Sequence, residues 1–366
     1  METLFELGED LAVGAVESKN EYCEHLPDNV LKNIFKYLPY QDICRCHLAC
    51  KHIHKYLNEH IAEFSRPNLS DLIIESVRDV GWIRQLRLEF RRLEVYGTHA
   101  CLKKTEFTEI EDESFEPISK LTEAFVSVIK NRCHSIIASG DVTFRYVVVD
   151  DDVLKPLMPF FESTTGLFFD HCKIDLSVEL LCDLLASSKC VKLGVNECQF
   201  VKSTLDDKIL SSMSHCDVLA LRWCKPKRLP GITYRTLLRW ENQKRLPKEI
   251  DFEGMSTDFT TFELVSLIKA FEREHHEWFS SPNETSKPPP AEWNLGEVIL
   301  IDNPYRLLHT IEGIEVRRSA LISEDREEYE VLPSWASHIA DDSFVVIEFI
   351  TRASSKRRHA PLSDNI

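Results

Sequence analysis

Between residues 140 and 305 the apolar and polar positions recur in a fixed frame. Leu167-x-Phe169-x-x-Cys172-x-Ile174 is followed by Leu193-x-Val195-x-x-Cys198-x-Phe200 and then by Leu219-x-Leu221-x-x-Cys224, with the cysteines 26 residues apart. Cys190 and Cys216 keep the same interval, as do Leu184 and Leu210. Alternating apolar residues predict a strand with one buried face. The segments between predict helices: Leu180, Leu181, Leu184 and Leu185 share one helical face. Ser203-x-x-Asp206 and Thr260-x-x-Glu263 read as capping boxes at two later helix starts. Looser copies are expected at Phe144-x-Tyr146-x-x-Val149, Ile250-x-Phe252-x-x-Met255 and Val298-x-Leu300-x-x-Asn303. One strand and one helix cannot close a core, so such units must stack.

A fixed period in this range with an L-x-L-x-x-N/C core is the signature of leucine-rich repeats. It predicts a curved α/β solenoid with a parallel inner sheet, each repeat Cys buried just past its strand. The competing reading, an ordinary α/β domain, has to explain two equal intervals with matching flanks. In the solenoid the intervening residues face outward onto the concave sheet. They are Phe168, Asp170 and His171, then Asn196 and Glu197, then Arg222 and Trp223. Trp and Arg are enriched at interface hot spots, which makes this row the candidate surface for a client protein.

Residues 25–57 carry a denser helix signal. Val30, Leu31, Ile34, Phe35 and Leu38 follow helical spacing, Asp28 is expected as N-cap and Pro39 as the stop. A second helix from Gln41 is expected to carry Ile43, Cys46, Cys50, Ile53 and Leu57. So short a block has little core of its own and is expected to be completed by a partner. The run Leu26-Pro27-x-x-Val30-Leu31-x-x-Ile34-Phe35-x-Tyr37-Leu38-Pro39-x-x-Asp42-Ile43, with Ala49-Cys50-Lys51 beyond it, resembles the F-box, departing from it at Ile53. Leu237-Leu238-x-Trp240, Phe262 to Phe271 and Glu315 to Ile322 are similar to the F-box-associated domains of the large nematode F-box families. The resemblance implies a three-helix F-box that binds a Skp-type adaptor, and through it a cullin, by Leu26, Pro27, Val30, Leu31, Ile34 and Leu38. It also implies a substrate-recognition subunit of a ubiquitin ligase that performs no chemistry itself.

Composition narrows the alternatives. A net charge of -16 disfavours nucleic acid and anionic membrane as partners. No apolar run is long enough to cross a bilayer, and the acidic start lacks a signal-peptide core, so cytoplasm or nucleus is expected. The 12 cysteines are expected as reduced, buried thiols. With 11 glycines and no phosphate-binding loop, no nucleotide cofactor is expected. Cys44, Cys46, His47, Cys50, His52 and His54 could ligate metal, but they lie inside the expected F-box helix and no metal is expected. Asp150 to Asp152 is expected as a helix start after a strand, and His275-His276 as exposed charge. An interaction scaffold outside ubiquitin transfer and a Cys-dependent enzyme are the alternatives. The expected architecture is α+β: a disordered acidic arm (1–24), the F-box (25–60), a connecting region (61–140), repeats (141–305), C-terminal strands (306–352) and a disordered tail (353–366). Glu106 to Glu116 and Ser281 to Glu292 are expected as loops.

Overall fold

The computed structural model of the protein describes residues 26–38, 40–47, 49–60, 63–64, 68–78, 84–92, 102–110, 118–133, 137–243, 245–274, 291–300, 314–323, 326–333 and 345–353. The expected arm, Pro39, His275-His276, most of the Pro-rich run and the tail beyond Ala353 lie outside them. In chain order the helices are α1 (Asp28–Phe35), α2 (Tyr40–His47), α3 (Lys51–His60), α4 (Glu123–Cys133), α5 (Asp151–Leu154), α6 (Val178–Ser187), α7 (Asp207–Ser211), α8 (Tyr234–Asn242) and α9 (Thr261–Glu274). The strands are β1 (Asn68–Arg78), β2 (Arg84–Arg92), β3 (Leu102–Ile110), β4 (Ser119–Lys120), β5 (Ile137–Arg145), β6 (Val147–Asp150), β7 (Gly166–Asp170), β8 (Lys173–Asp175), β9 (Lys192–Asn196), β10 (Gln199–Phe200), β11 (Val218–Arg222), β12 (Arg228–Leu229), β13 (Glu249–Asp251), β14 (Ser256–Thr260), β15 (Ala291–Leu300), β16 (Ile314–Ser323), β17 (Arg326–Pro333) and β18 (Val345–Ala353). They fall into two compact units. One comprises Met1–Phe115, Lys120–Thr143 and Asp152–Thr164; the other comprises Glu116–Ser119, Phe144–Asp151 and Thr165–Ile366.

In the first unit, α1 to α3 close a core of Leu31, Phe35, Ile43, Ile53, Tyr56, Leu57 and Phe64. Pro27, not Asp28, holds the N-cap position. Asp28 is the first helical residue, and its carbonyl accepts the Tyr56 hydroxyl at 3.1 Å. The single helix expected from Gln41 is two, α2 and α3. Cys50 lies just before α3, and its Sγ accepts the Ile53 N–H at 3.5 Å, as a capping side chain does.

The expected connecting region contains an antiparallel meander, with Ile74 opposite Leu88 and Leu88 opposite Glu106. Part of the acidic stretch expected as a loop is therefore strand β3: its aromatic and β-branched residues (Thr105, Phe107, Thr108, Ile110) suit a sheet despite the glutamates. Gly140 on β5 admits a close approach to β1, since a Cβ there would sit 1.8 Å from the Ser70 carbonyl oxygen.

The second unit is built on parallel strands. Leu167, Leu193, Leu219, Ile250 and Trp293 stand in one row across β7, β9, β11, β13 and β15; Phe169, Val195 and Leu221 form the next. All are buried. β18 adds parallel to β15, and β17 and β16 follow antiparallel. The sheet is thus mixed, with a parallel core.

A left-handed residue directly follows β5, β7, β9 and β11, and another lies three residues beyond β13. Tyr146, His171, Glu197 and Trp223 have φ of 53°, 52°, 49° and 53°, and Gly254 has 71°. Their N–H groups form a ladder: Tyr146 donates to Asp170 O (3.1 Å), His171 to Asn196 O (2.9 Å), Glu197 to Arg222 O (2.8 Å) and Trp223 to Glu253 O (3.0 Å). The kink turns the next residue inward, and Val147, Cys172, Cys198, Cys224 and Met255 are buried there. Cys172 N–H donates to Cys198 Sγ (3.2 Å), and Cys224 N–H to Met255 Sδ (3.1 Å). A second row of short parallel strands follows, β6, β8 and β10, with β12 pairing β14.

The kinks correct two expected frames. Tyr146 stands where His171 does, so the early copy reads Val142-x-Phe144-x-Tyr146-Val147, two residues upstream of the Phe144 frame. At the other end Trp293, not Val298, pairs with Ile250, and β15 begins at Ala291, inside the stretch expected as a loop. Asp206, not Ser203, caps α7, its Oδ1 accepting Ile209 N–H at 2.8 Å; Ser203 instead donates its hydroxyl to Leu176 O. The Thr260–Glu263 capping box is present, the Glu263 carboxylate taking Thr260 N–H at 2.7 Å. α5 begins at Asp151, directly after β6, and Asp151 Oδ1 receives the Ser177 N–H at 2.8 Å.

Candidate functional site

The outer face of α1 is apolar where the rest of its block is satisfied. Leu31 and Phe35 turn inward, 1% and 2% exposed, while Val30 and Ile34 on the same helix are 37% and 44% exposed. Tyr37, in the turn that follows, is 81% exposed. Leu26 and Leu38 pack partly against the core, and Pro27 is exposed. Five of the six expected adaptor residues therefore border this face. Leu31 does not: it is core, because the α1 apolar stripe is wide enough for one edge to face in and the other out. Tyr37 was missed, although it lies three positions beyond Ile34 and helical spacing could have found it. Beside the face, Lys32 Nζ bonds Glu63 Oε2 at 2.5 Å, and His60 Nδ1 lies 3.0 Å from Glu63 Oε1. The Lys32 hydrogen bond, then that of His60, holds the Glu63 carboxyl below its ordinary range. Both partners are on the surface, where such pairs add little stability.

The residues of the expected client row are half-buried or exposed at and just beyond β7, β9 and β11. Asp170 Oδ1 accepts from Asn196 Nδ2 at 2.8 Å and lies 2.8 Å from His171 Nδ1; Asp170 Oδ2 is 3.6 Å from Arg145 Nε. His171 Nε2 is 3.1 Å from a Glu197 oxygen, and the His171 ring lies 4.7 Å from that of Tyr146, tilted by 31°. Arg222 Nε donates to Asp251 Oδ2 at 2.5 Å and its Nη2 to Glu249 Oε1 at 3.5 Å. These charges are paired with one another across strands. Two aromatic groups stand beside them. Phe168 is half-buried, its ring over Gly194, where a Cβ would come within 2.4 Å. Trp223 is 48% exposed, and its ring lies on Gly254.

Burial pushes the Cys133 and Cys216 thiols up to about 12 and that of Cys224 to about 11. The hydrogen bond with Cys172, then burial, raises Cys198. These four stay protonated at neutral pH and are poor nucleophiles. Cys172, Cys190, Cys198, Cys216 and Cys224 are all buried and none is in a disulfide. Among the described residues, no three His, Cys, Asp or Glu side chains come together to hold a metal ion. Cys46 and Cys50 pack on the α1–α3 core. Among the same residues, no helix is long and apolar enough to cross a membrane.

The block that presents the α1 face matches a family model, F-box-like, over residues 23–62. Residues 23–62 are an F-box-like domain. The chain is 49% identical over 39 residues to the F-box/SPRY domain-containing protein 1 of Culex quinquefasciatus and, equally, to that of Aedes aegypti. Each match covers 11% of this chain and 15% of the relative. The chain thus spans about 15% of the length of these relatives. F-box domains generally serve in substrate adaptors of SCF-type ubiquitin ligases, where they bind a Skp-type subunit.

Proposed function

We propose that this protein is the substrate-recognition subunit of a cullin-type ubiquitin ligase acting in the cytoplasm or nucleus. Its three-helix F-box docks on a Skp-type adaptor through Leu26, Pro27, Val30, Ile34 and Leu38, with Tyr37 added and Leu31 fixing the helix from inside. The parallel-stranded unit is a leucine-rich-repeat-like solenoid, an F-box-associated domain, and captures a client protein through the row containing Phe168, Asp170, His171, Asn196, Glu197, Arg222 and Trp223. The chain carries out no reaction itself; ubiquitin transfer belongs to other subunits.

The observation that supports this reading is the apolar outer face of α1 on a domain whose own core is closed without it. Val30 and Ile34 facing water would be a standing cost unless a partner covers them. The periodic left-handed kinks and buried sulfur ladder support the solenoid. Of the client row, Trp223 is the apolar group most open to a partner. The test is affinity purification of the full chain: an adaptor and a cullin are expected to co-purify, and to be lost from an Ile34→Asp chain that retains its unfolding midpoint. An Ile34→Asp chain that still carries adaptor and cullin overturns the docking assignment. Trp223→Ala is expected to abolish client capture with adaptor binding intact; loss of both means that Trp223 serves the fold.

A further inference from the structure

A groove between α8 and α9 exposes apolar surface that neither the adaptor face nor the client row uses. Tyr234 and Leu238 on α8 and Phe262 on α9 line it, 52%, 47% and 61% exposed. Leu237 and Leu267 form a buried floor. Together the three rims make up three of the eight large apolar side chains exposed among the described residues, and three of the others lie on α1 or the turn after it. The charged groups in the lining are both carboxylates, Glu241 and Glu263. Glu241 already receives Arg273, and Glu263 receives the Thr260 N–H. A carboxylate has about four lone-pair sites, so each keeps capacity for a further cation.

Sheet register brings the end of β18 to this place. Thr260, two residues before Phe262, is paired with Ile299, and Ile299 with Arg352. Two strand spacings put the end of β18 roughly 10 Å from the start of α9. The 13 residues 354–366, Ser-Ser-Lys-Arg-Arg-His-Ala-Pro-Leu-Ser-Asp-Asn-Ile, follow directly. Extended, they reach up to about 45 Å, far more than the groove requires. Lys356, Arg357 and Arg358 come first, and Ala360, Pro361 and Leu362 after them. The order along the chain, basic residues first and apolar residues after, matches what the groove offers: Glu263 near the start of α9, and the apolar Leu237 and Leu238. In a chain of net charge -16 this is a basic cluster leaving the sheet next to an acid-rimmed apolar groove.

We propose that residues 354–366 of the chain itself dock in the α8–α9 groove, covering Phe262, Leu238 and Tyr234. The occupancy is intramolecular and salt-sensitive.

The test uses the full chain with a photo-reactive benzophenone side chain in place of Phe262 and, in a second variant, of Leu238. Both positions are exposed, so the probes are tolerated by the fold. Irradiation followed by mass spectrometry of the peptides reads what lies against the groove. The expected product is a cross-link within one chain to residues 354–366, with a yield independent of protein concentration. That yield is expected to fall at least about tenfold when Lys356, Arg357 and Arg358 are changed to Glu, a factor worth about 1.4 kcal/mol. A cross-link between two copies that grows with concentration assigns the groove to self-association and overturns the proposal. So does a cross-link to any other segment, absence of a cross-link at both positions, or a yield indifferent to the charge reversal.

Discussion

The F-box-like block and the parallel-stranded unit solve one problem, burying apolar side chains in a short segment, in opposite ways. The block closes a seven-residue core on itself and leaves Val30 and Ile34 outside it. The stranded unit has no such closed core per repeat. Leu193 is buried because Leu167 and Leu219 flank it, and the Glu197 N–H is satisfied because Arg222 O comes from the next repeat. In the block, the side chains that close the core and those left exposed for a partner to cover are therefore different residues of the same helix. In the stack, a residue's burial depends on its neighbours, so damage should spread along the strand order.

The largest effect expected from this contrast is on docking. Leu26→Ala with Ile34→Ala should weaken adaptor binding by about two orders of magnitude or more, each aliphatic chain contributing about 1.5–3 kcal/mol when covered. The unfolding midpoint should move little, since Ile34 is exposed and Leu26 half-buried. Leu31→Ala should do the reverse, costing about 2–5 kcal/mol of stability. Calorimetry of binding and denaturant unfolding on the same preparations separate the two. Weakened binding by Leu31→Ala at unchanged stability would erase the division within α1.

Leu219→Ala sharpens the other side. A buried leucine removed from the middle of the stack should cost about 2–5 kcal/mol. Hydrogen exchange should accelerate at the His171 and Glu197 amides as well as on β11, because those amides bond across repeats. Acceleration confined to β11 would mean that the repeats are energetically independent. Cys198→Ala is milder. It removes the acceptor for Cys172 N–H and should cost about 1–2 kcal/mol, the penalty of one buried donor left unmet. The readout is exchange at the Cys172 amide, expected to rise about tenfold.

The same contrast explains what the sequence disclosed. The repeat was legible at Leu167, Leu193 and Leu219 because alternation and period coincide there. The kink was not. Its left-handed slot holds Tyr146, His171, Glu197 and Trp223, and only the last kink uses the glycine that usually announces such a backbone. Framing the repeat from Leu-x-Leu instead of from the kink displaced the copies at Phe144 and Val298. β1 was missed because five successive residues, Leu72 to Ser76, are buried, which leaves no alternation to read. Leu86 and Leu88 of β2 did alternate with polar neighbours and were available as a signal. On α1, Val30 and Ile34 were legible as apolar and helical, but which edge of the stripe faced the core depended on α3, through Ile53 and Tyr56.

The smallest expected effect is alkaline and should belong to the stack. Cys216 titrates near 12 and Cys224 near 11 in the folded chain, both raised first by burial, against about 8.5 for a free thiol. The unfolded chain therefore loses these protons first as pH rises. Each thiol's contribution to stability is complete below about pH 8.5 and is lost progressively as pH climbs towards its folded value. By pH 9 the loss should be on the order of 1 kcal/mol per thiol. Urea unfolding at pH 7 and pH 9 measures it. In Cys216→Ala the difference between the two pH values should shrink by about that amount, although the variant starts from lower stability. A variant with the parental pH dependence would show that Cys216 ionises as easily folded as unfolded, and that the space beneath β11 is open to water rather than sealed by the repeat above it.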